Sequence, residues 1–198
     1  MSQRLTFLVR ASTGAQRRLR FPDDDPIEPL APDVGPAVAA ALGRVTAALR
    51  APGRAAADTA AAAGLDAGPE PRLASWSSGA WRGRPIEEVA RDRPDAFAAW
   101  RLDPTFVPPG GDESLADVIA RVGGWLDDLP GDDPERARER IVAVTDAGVV
   151  RAALVAILGT GPDVFWRFDV PPLSLTVAQR TGSAWQVRCV GCAVTPSR

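Results

Sequence analysis

No histidine occurs in this chain of 198 residues, and all 23 of its basic side chains are arginine. Lysine, asparagine and tyrosine are missing as well. Beside so much Ala, Arg, Gly and Pro, those three absences fit the codon bias of a GC-rich genome. Histidine keeps a GC-permissive codon, so base composition does not account for its loss. General acid–base work is left to Asp and Glu, and nucleophiles to Ser, Thr, Cys or a carboxylate. Any mechanism that needs imidazole is excluded.

Cysteine is nearly absent too. Cys189 and Cys192 form one Cys-x-x-Cys pair in a segment that reads as a late strand. A structural metal site wants a second pair or histidines, and a redox pair belongs at a helix start after a strand. Two reduced thiols are expected, with no metal and no cofactor. No apolar run is long enough to cross a bilayer, so no membrane association is expected. Leu5–Val9 is shorter than a signal-peptide core and follows a single basic residue, which leads us to expect a cytoplasmic protein. A net charge of −2 exerts no pull toward nucleic acid, and no basic stripe surrounds the six tryptophans. Trp81, Trp100, Trp125 and Trp166 are read as core.

What is present suits a globular α/β protein. Hydrophobic residues make up 45% of the chain and charged residues 24%, an ordinary balance for one domain over 1–198. Leu5–Val9 reads as a strand, and Ser12–Pro36, with FPDDDPIEPLAPDVGP, as a polar loop. Ala37–Arg50 and Arg54–Ala63 read as Ala-rich helices separated by Ala51-Pro52-Gly53. Arg72–Ser78 fits either a strand or an extended loop, and Ile86–Trp100 fits helix in two pieces around Pro94. Thr105–Asp112 reads as loop. ESLADVIARVGGWLDDL is the clearest helix: Leu115, Val118, Ile119, Val122, Leu126 and Leu129 share one face, and Ser114 with Asp117 can form a capping box. Residues 127–140 read as a charged connection, and 173–178 and 184–190 as the last strands. Strands and helices interleaved in this way predict a three-layer sandwich around a mainly parallel sheet.

IVAVTDAGVVRAALVAILG, residues 141–159, joins a buried strand to a helix that stops at Gly159. Asp146 stands at the junction, where free backbone N–H groups and the helix dipole attract anions. It can serve as a helix N-cap or as a ligand-binding group, and the two roles are compatible.

Taken in order, the segments LTFLVRAST, GAWRGRPIEEV, WRLDPTFVPPGG, ESLADVIARVGGWLDDL, VTDAGVVRAALVAILG and FWRFDVPPLSLT resemble the histidine phosphatase superfamily, the phosphoglycerate mutase-like fold, in its small bacterial phosphatase branch. The resemblance runs almost end to end. It implies transfer of a phosphoryl group to a histidine after the first strand, with a second histidine, two phosphate-binding arginines and a proton-donating glutamate. Laid on LTFLVRAST without a gap, Arg10 takes the histidine slot and Val9 the arginine slot. With one residue deleted, Arg10 is the phosphate-binding arginine and the histidine vanishes before Ala11. The second arginine slot falls on Ala55, beside Arg54. The glutamate slot falls on Ser75 and the second histidine slot on Asp146. Glu113 would border the pocket, or else stand as a charged residue in the first turn of a helix. Ser12 and Thr13 could offer donors beside Arg10, or form a surface turn. Arg151 is expected to cover a helix surface or pair locally.

The ligand pocket expected from this alignment comprises Arg10, Ser12, Thr13, Arg54, Ser75, Glu113 and Asp146. Two functions follow. One is a pseudoenzyme, a binding or regulatory protein on a phosphatase scaffold, with an unknown small molecule or protein as partner. The other is a repurposed enzyme in which Asp146 is the general acid or base and Arg10 steadies negative charge on a substrate other than a phosphate ester. The oligomeric state is left open.

Overall fold

The two apolar runs that read most clearly as buried strands lie side by side at the centre of the sheet. In a computed structural model that describes residues 3–129, 139–182 and 184–194, these are β1 (Gln3–Val9) and β4 (Arg140–Thr145). They run parallel, with Leu5 opposite Ile141 and Val9 opposite Thr145. Both are covered on both faces, which is why their sequences are continuous apolar runs rather than alternating ones. β2 (Ala47–Arg50), β3 (Gly68–Pro69), β5 (Leu175–Thr181) and β6 (Ala184–Cys192) complete a six-stranded sheet in the order β3-β2-β4-β1-β5-β6. β2 is parallel to β4 and to β3, whereas β5 and β6 add antiparallel strands beyond β1.

Helices flank this sheet: α1 (Gly14–Arg17), α2 (Val34–Leu42), α3 (Arg54–Ala62), α4 (Ile86–Asp92), α5 (Pro94–Leu102), α6 (Leu115–Asp128) and α7 (Ala147–Leu158). The capping box forms as expected: the Ser114 hydroxyl accepts from Asp117 N, and Asp117 Oδ2 accepts from Ser114 N at 2.9 Å. Burial of Leu115, Val118, Val122, Trp125 and Leu126 then presses α6 onto the core, beside α7. Each such apolar side chain adds roughly 1.5–3 kcal/mol. Pro94 divides the helical stretch 86–102 into α4 and α5, whose Ile86, Val89, Phe97 and Trp100 pack with Phe21 and Trp81 in a smaller core.

Two expectations need correction, and one alternative is decided. The Ala-rich run 37–50 is not one helix. It ends at Leu42, where Gly43 takes a φ of 63° that only glycine adopts freely, and Ala47–Arg50 is strand instead. An open edge on β4, pairing Ala47 with Ile141 through Arg50 with Val144, outweighs the weak preference of alanine for helix. Of the two alternatives for 72–78 the loop is the one that forms: a 3-10 turn over Pro71–Leu73 leads into irregular chain. Cys189 and Cys192 are joined as a disulfide across the end of β6, not held as two free thiols. Most of the charged connection, 130–138, lies outside the described residues.

Two close fits hold the flanks in place. Gly35 of α2 packs so tightly on α3 that a Cβ there would collide with the Ala62 carbonyl oxygen. Replacement Gly35→Ala is expected to destabilise the protein by about 1–3 kcal/mol in chemical denaturation, the usual cost of overpacking. Glu70 receives Arg72 Nε at 3.1 Å, and Arg72 Nη1 reaches on to Asp128 Oδ2 at 2.6 Å. The Arg72 hydrogen bond holds the Glu70 carboxyl below its ordinary value, so its stabilising share is complete above pH 4.5 and is lost as pH falls through the lower folded value. Thermal scans of Glu70→Gln should therefore run below wild type at neutral pH and converge with it as the medium is acidified.

Candidate functional site

The register of β1 and β4 places the residues that follow them side by side. Val9 faces Thr145, and Arg10 N donates to Thr145 O at 2.7 Å, so Arg10 and Asp146 emerge from neighbouring strand ends. β2 ends against the same edge, with Ala51 N donating to Val144 O at 2.8 Å, and Pro52-Gly53 then turns into α3. The crevice beyond the carboxyl ends of such strands, where the order of connection reverses, is where open α/β sheets hold ligands.

A cavity of about 410 Å³ opens there, walled by Arg10, Thr13, Asp24, Asp25, Ser75, Ser77, Ser78, Arg82 and Asp146 among others. Three carboxylates thus face two guanidiniums. Asp24 is anchored most firmly: its Oδ1 accepts from Arg54 N at 2.7 Å, which seats a carboxylate directly on the N-terminus of α3. The backbone at Asp24 takes a φ of 51°, a left-handed conformation that Asp tolerates better than most residues. Asp25 Oδ2 is buried and receives no hydrogen bond from the described residues. Asp146 caps α7, with Oδ1 accepting from Val149 N at 3.0 Å. Arg82 leans toward Asp23 at 3.8 Å, whereas among the described residues the Arg10 guanidinium forms no ion pair and donates only to Ala11 O, at 3.3 Å.

A second cavity of about 340 Å³ shares Arg10, Pro22, Trp76, Ser77, Ser78 and Asp146 with the first. The rest of its wall is mostly apolar and aromatic, including Phe21, Trp100, Phe165 and Trp166, with Arg20 and Arg151 among them. These rings pack edge to face and stacked: Trp100 lies 5.5 Å from Trp76 and 5.3 Å from Trp166. Arg151 is half-buried, donates Nε to Phe168 O at 3.0 Å and lies over the Trp166 ring at 5.9 Å. Burial pushes its guanidinium below the ordinary arginine range, while Asp146 and Asp169 act in the opposite direction.

Of the residues expected in the pocket, Arg10, Thr13, Ser75 and Asp146 line the first cavity. Thr13 is buried, and its hydroxyl caps α1 by accepting from Gln16 N. Ser12, Arg54 and Glu113 do not line either cavity. Arg54 points outward, 3.8 Å from Asp58, although its backbone N–H holds Asp24. Glu113 is engaged by Arg121, whose Nε and Nη2 reach its two oxygens at 3.0 and 2.8 Å. Arg121 also donates to the carbonyls of Arg72 and Ala74, and Trp76 Nε1 donates to Glu113 O. This cluster pins the irregular segment that carries Ser75, so Glu113 positions the wall from behind. Close behind Ser78, Gly79 abuts the Pro109 carbonyl and the Gly110-Gly111 turn so tightly that no Cβ fits, which explains the glycine at position 79.

Sequence reasoning missed Asp24 and Asp25. Their one signal was the run Asp23-Asp24-Asp25 between prolines, which reads as a solvated loop. Trp100 and Trp166, read as core, are half-buried, pack against the two core clusters and also line the second cavity. Arg151, expected to cover a helix surface or pair locally, lies half-buried on the wall of that cavity. Among the described residues, no group of three or more Cys, Asp or Glu side chains is arranged to hold a metal ion, and no helix is long and apolar enough to cross a membrane.

Over 108 residues the chain is 32% identical to phosphoserine phosphatase 1 of Hydrogenobacter thermophilus, a match that covers 54% of this chain and 50% of that protein. Over 92 residues it is 34% identical to glucosyl-3-phosphoglycerate phosphatase of Mycobacterium tuberculosis, with 44% and 41% covered. The chain thus spans about half the length, or less, of the curated relatives it matches. The native structure of mycobacterial glucosyl-3-phosphoglycerate phosphatase superposes with a TM-score of 0.81 at 25% identity, over 98% of this chain and all of that one. The model of the histidine phosphatase superfamily (branch 1) matches residues 30–193, and the chain belongs to that superfamily.

Proposed function

We propose that this chain is a binding or regulatory protein built on a histidine phosphatase scaffold, and that it does not hydrolyse phosphate monoesters. The observation that carries this reading is the Asp24 carboxylate on the N-terminus of α3, with Oδ1 2.7 Å from Arg54 N. A helix N-terminus facing the pocket is the natural seat of a phosphate, and here an anion from the chain itself already fills it. Asp25 and Asp146 add two more negative groups to the same wall. Each carboxylate about 4 Å from a bound anionic charge costs roughly 1 kcal/mol in water and about 4 kcal/mol in surroundings typical of a protein surface.

The absence of histidine from the chain removes the nucleophile on which the family's chemistry depends. The relatives named above are phosphatases, and their activity is not carried over for this reason. Asp146 as a proton-transferring group, the alternative raised by the sequence, draws no support from a carboxylate that serves as the cap of α7.

Incubated with p-nitrophenyl phosphate and phosphoserine across the neutral and mildly acidic range, the purified protein should release no phosphate above background. A rate that rises with protein concentration and disappears in Arg10→Ala would overturn the reading.

A further inference from the structure

The two cavities meet at a pair of opposite charges that do not neutralise each other. Arg10 and Asp146 leave adjacent strand ends and stand on the wall of both cavities, yet neither takes part in an ion pair among the described residues. Arg10 has only the Ala11 carbonyl, and Asp146 has the Val149 N–H. In the first cavity the buried Oδ2 of Asp25 receives no hydrogen bond from the described residues, so a carboxylate there is short of a donor. In the second, Trp76, Trp100 and Phe165 offer ring surface beside Arg10.

An anion alone would answer Arg10 and leave Asp25 and Asp146 repelling it. A cation alone would answer the two carboxylates and leave Arg10 opposed. An uncharged apolar ligand would bury all three without replacing their water. The other charged wall residues are already engaged, Asp24 by Arg54 N, Arg82 by Asp23, Arg20 by Gly83 O and Arg151 by Phe168 O. A ligand that carries both charges close together, with an apolar body, therefore answers Arg10, Asp25 and Asp146 together. Pockets of this kind use a few convergent polar side chains for orientation and apolar walls for most of the contact.

We propose that the joined cavities bind a small zwitterion with an apolar body, an α-amino acid bearing an aromatic or branched side chain. Its ammonium group lies with Asp25 and Asp146, its carboxylate on Arg10, and its side chain against Trp76, Trp100 and Phe165. The proposal rests on the reading of this site as a binding pocket rather than a phosphatase centre, and it names the ligand class that reading leaves open.

The test is titration calorimetry with L-phenylalanine, phenethylamine, 3-phenylpropionate and inorganic phosphate. Phenylalanine should bind at least about tenfold more tightly than either analogue, as expected when one charge-assisted hydrogen bond is lost from each. Asp25→Asn should weaken phenylalanine by a similar factor while 3-phenylpropionate binds as tightly as before or more tightly, because a repelling carboxylate is gone, which also shows that the variant is folded. Arg10→Gln should weaken phenylalanine while phenethylamine binds as tightly as before or more tightly. The inference is overturned if either analogue equals phenylalanine, or if none of the three organic probes binds at millimolar concentration. In that last case, silence of phosphate too would overturn this inference alone, whereas saturable phosphate binding would overturn the proposed function as well.

Discussion

In the paired strands β1 and β4, Val9 lies opposite Thr145, and the rest of the site is built outward from that register. A shift by one residue would turn every side chain of one strand to the other face and unpack a core in which Leu5, Phe7, Leu8, Ile141, Val142 and Val144 are all buried. The register is therefore fixed by burial, and with it the adjacency of Arg10 and Asp146. Thr145 reinforces the arrangement: its hydroxyl donates to Leu73 O at 2.8 Å and ties the strand end to the segment that carries Ser75. Thr59 does the same on the other side, accepting from Ala11 N at 3.0 Å and donating to Ala55 O at 2.7 Å. The strands that position the pocket are mostly apolar, whereas the pocket itself gathers the side chains of Arg10, Asp25 and Asp146.

Charge distribution follows from where the helices begin. α3 and α7 both start at the strand-end crevice, and each presents free N–H groups to it. In this chain both helix ends are met by carboxylates of the chain itself, Asp24 on α3 and Asp146 on α7. Each pairing is locally favourable, because a carboxylate at an N-cap satisfies a backbone donor and complements the dipole. On the function proposed here, their joint effect is to fill the positions from which a phosphate would be drawn, so that the residues that stabilise the two helices also change what the crevice can hold.

Where burial set the pattern, the sequence was legible. β1, β4, α6 and α7 carry continuous or periodic apolar residues, and the Ser114–Asp117 box and the Asp146 cap lie within a few residues of the helices they start. β2 was hidden because alanine has no hydrophobic period strong enough to separate a helix from a strand, and only the edge of β4, almost a hundred residues on, decides the matter. Asp24 was hidden for the same physical reason. Its partner Arg54 N lies 30 positions away, and nothing within FPDDDP distinguishes the aspartate that folds inward from its neighbours. Glu113 was placed at the right end of α6, as a pocket residue or a charged residue of the first turn, but its partner was hidden, since the bond that holds it comes from Arg121, two turns along the helix.

The central claim is that carboxylates have replaced the phosphate in this crevice, and thermal unfolding with and without vanadate tests it most directly. A ligand held at about 100 times its Kd would add about 2.7 kcal/mol of stability and raise the melting temperature visibly. The account predicts no shift for the wild-type protein, and an upward shift once Asp24 and Asp146 are both replaced by asparagine. A clear shift in the wild type that is lost in Arg10→Ala would show that the crevice still holds oxyanions, and would contradict the account.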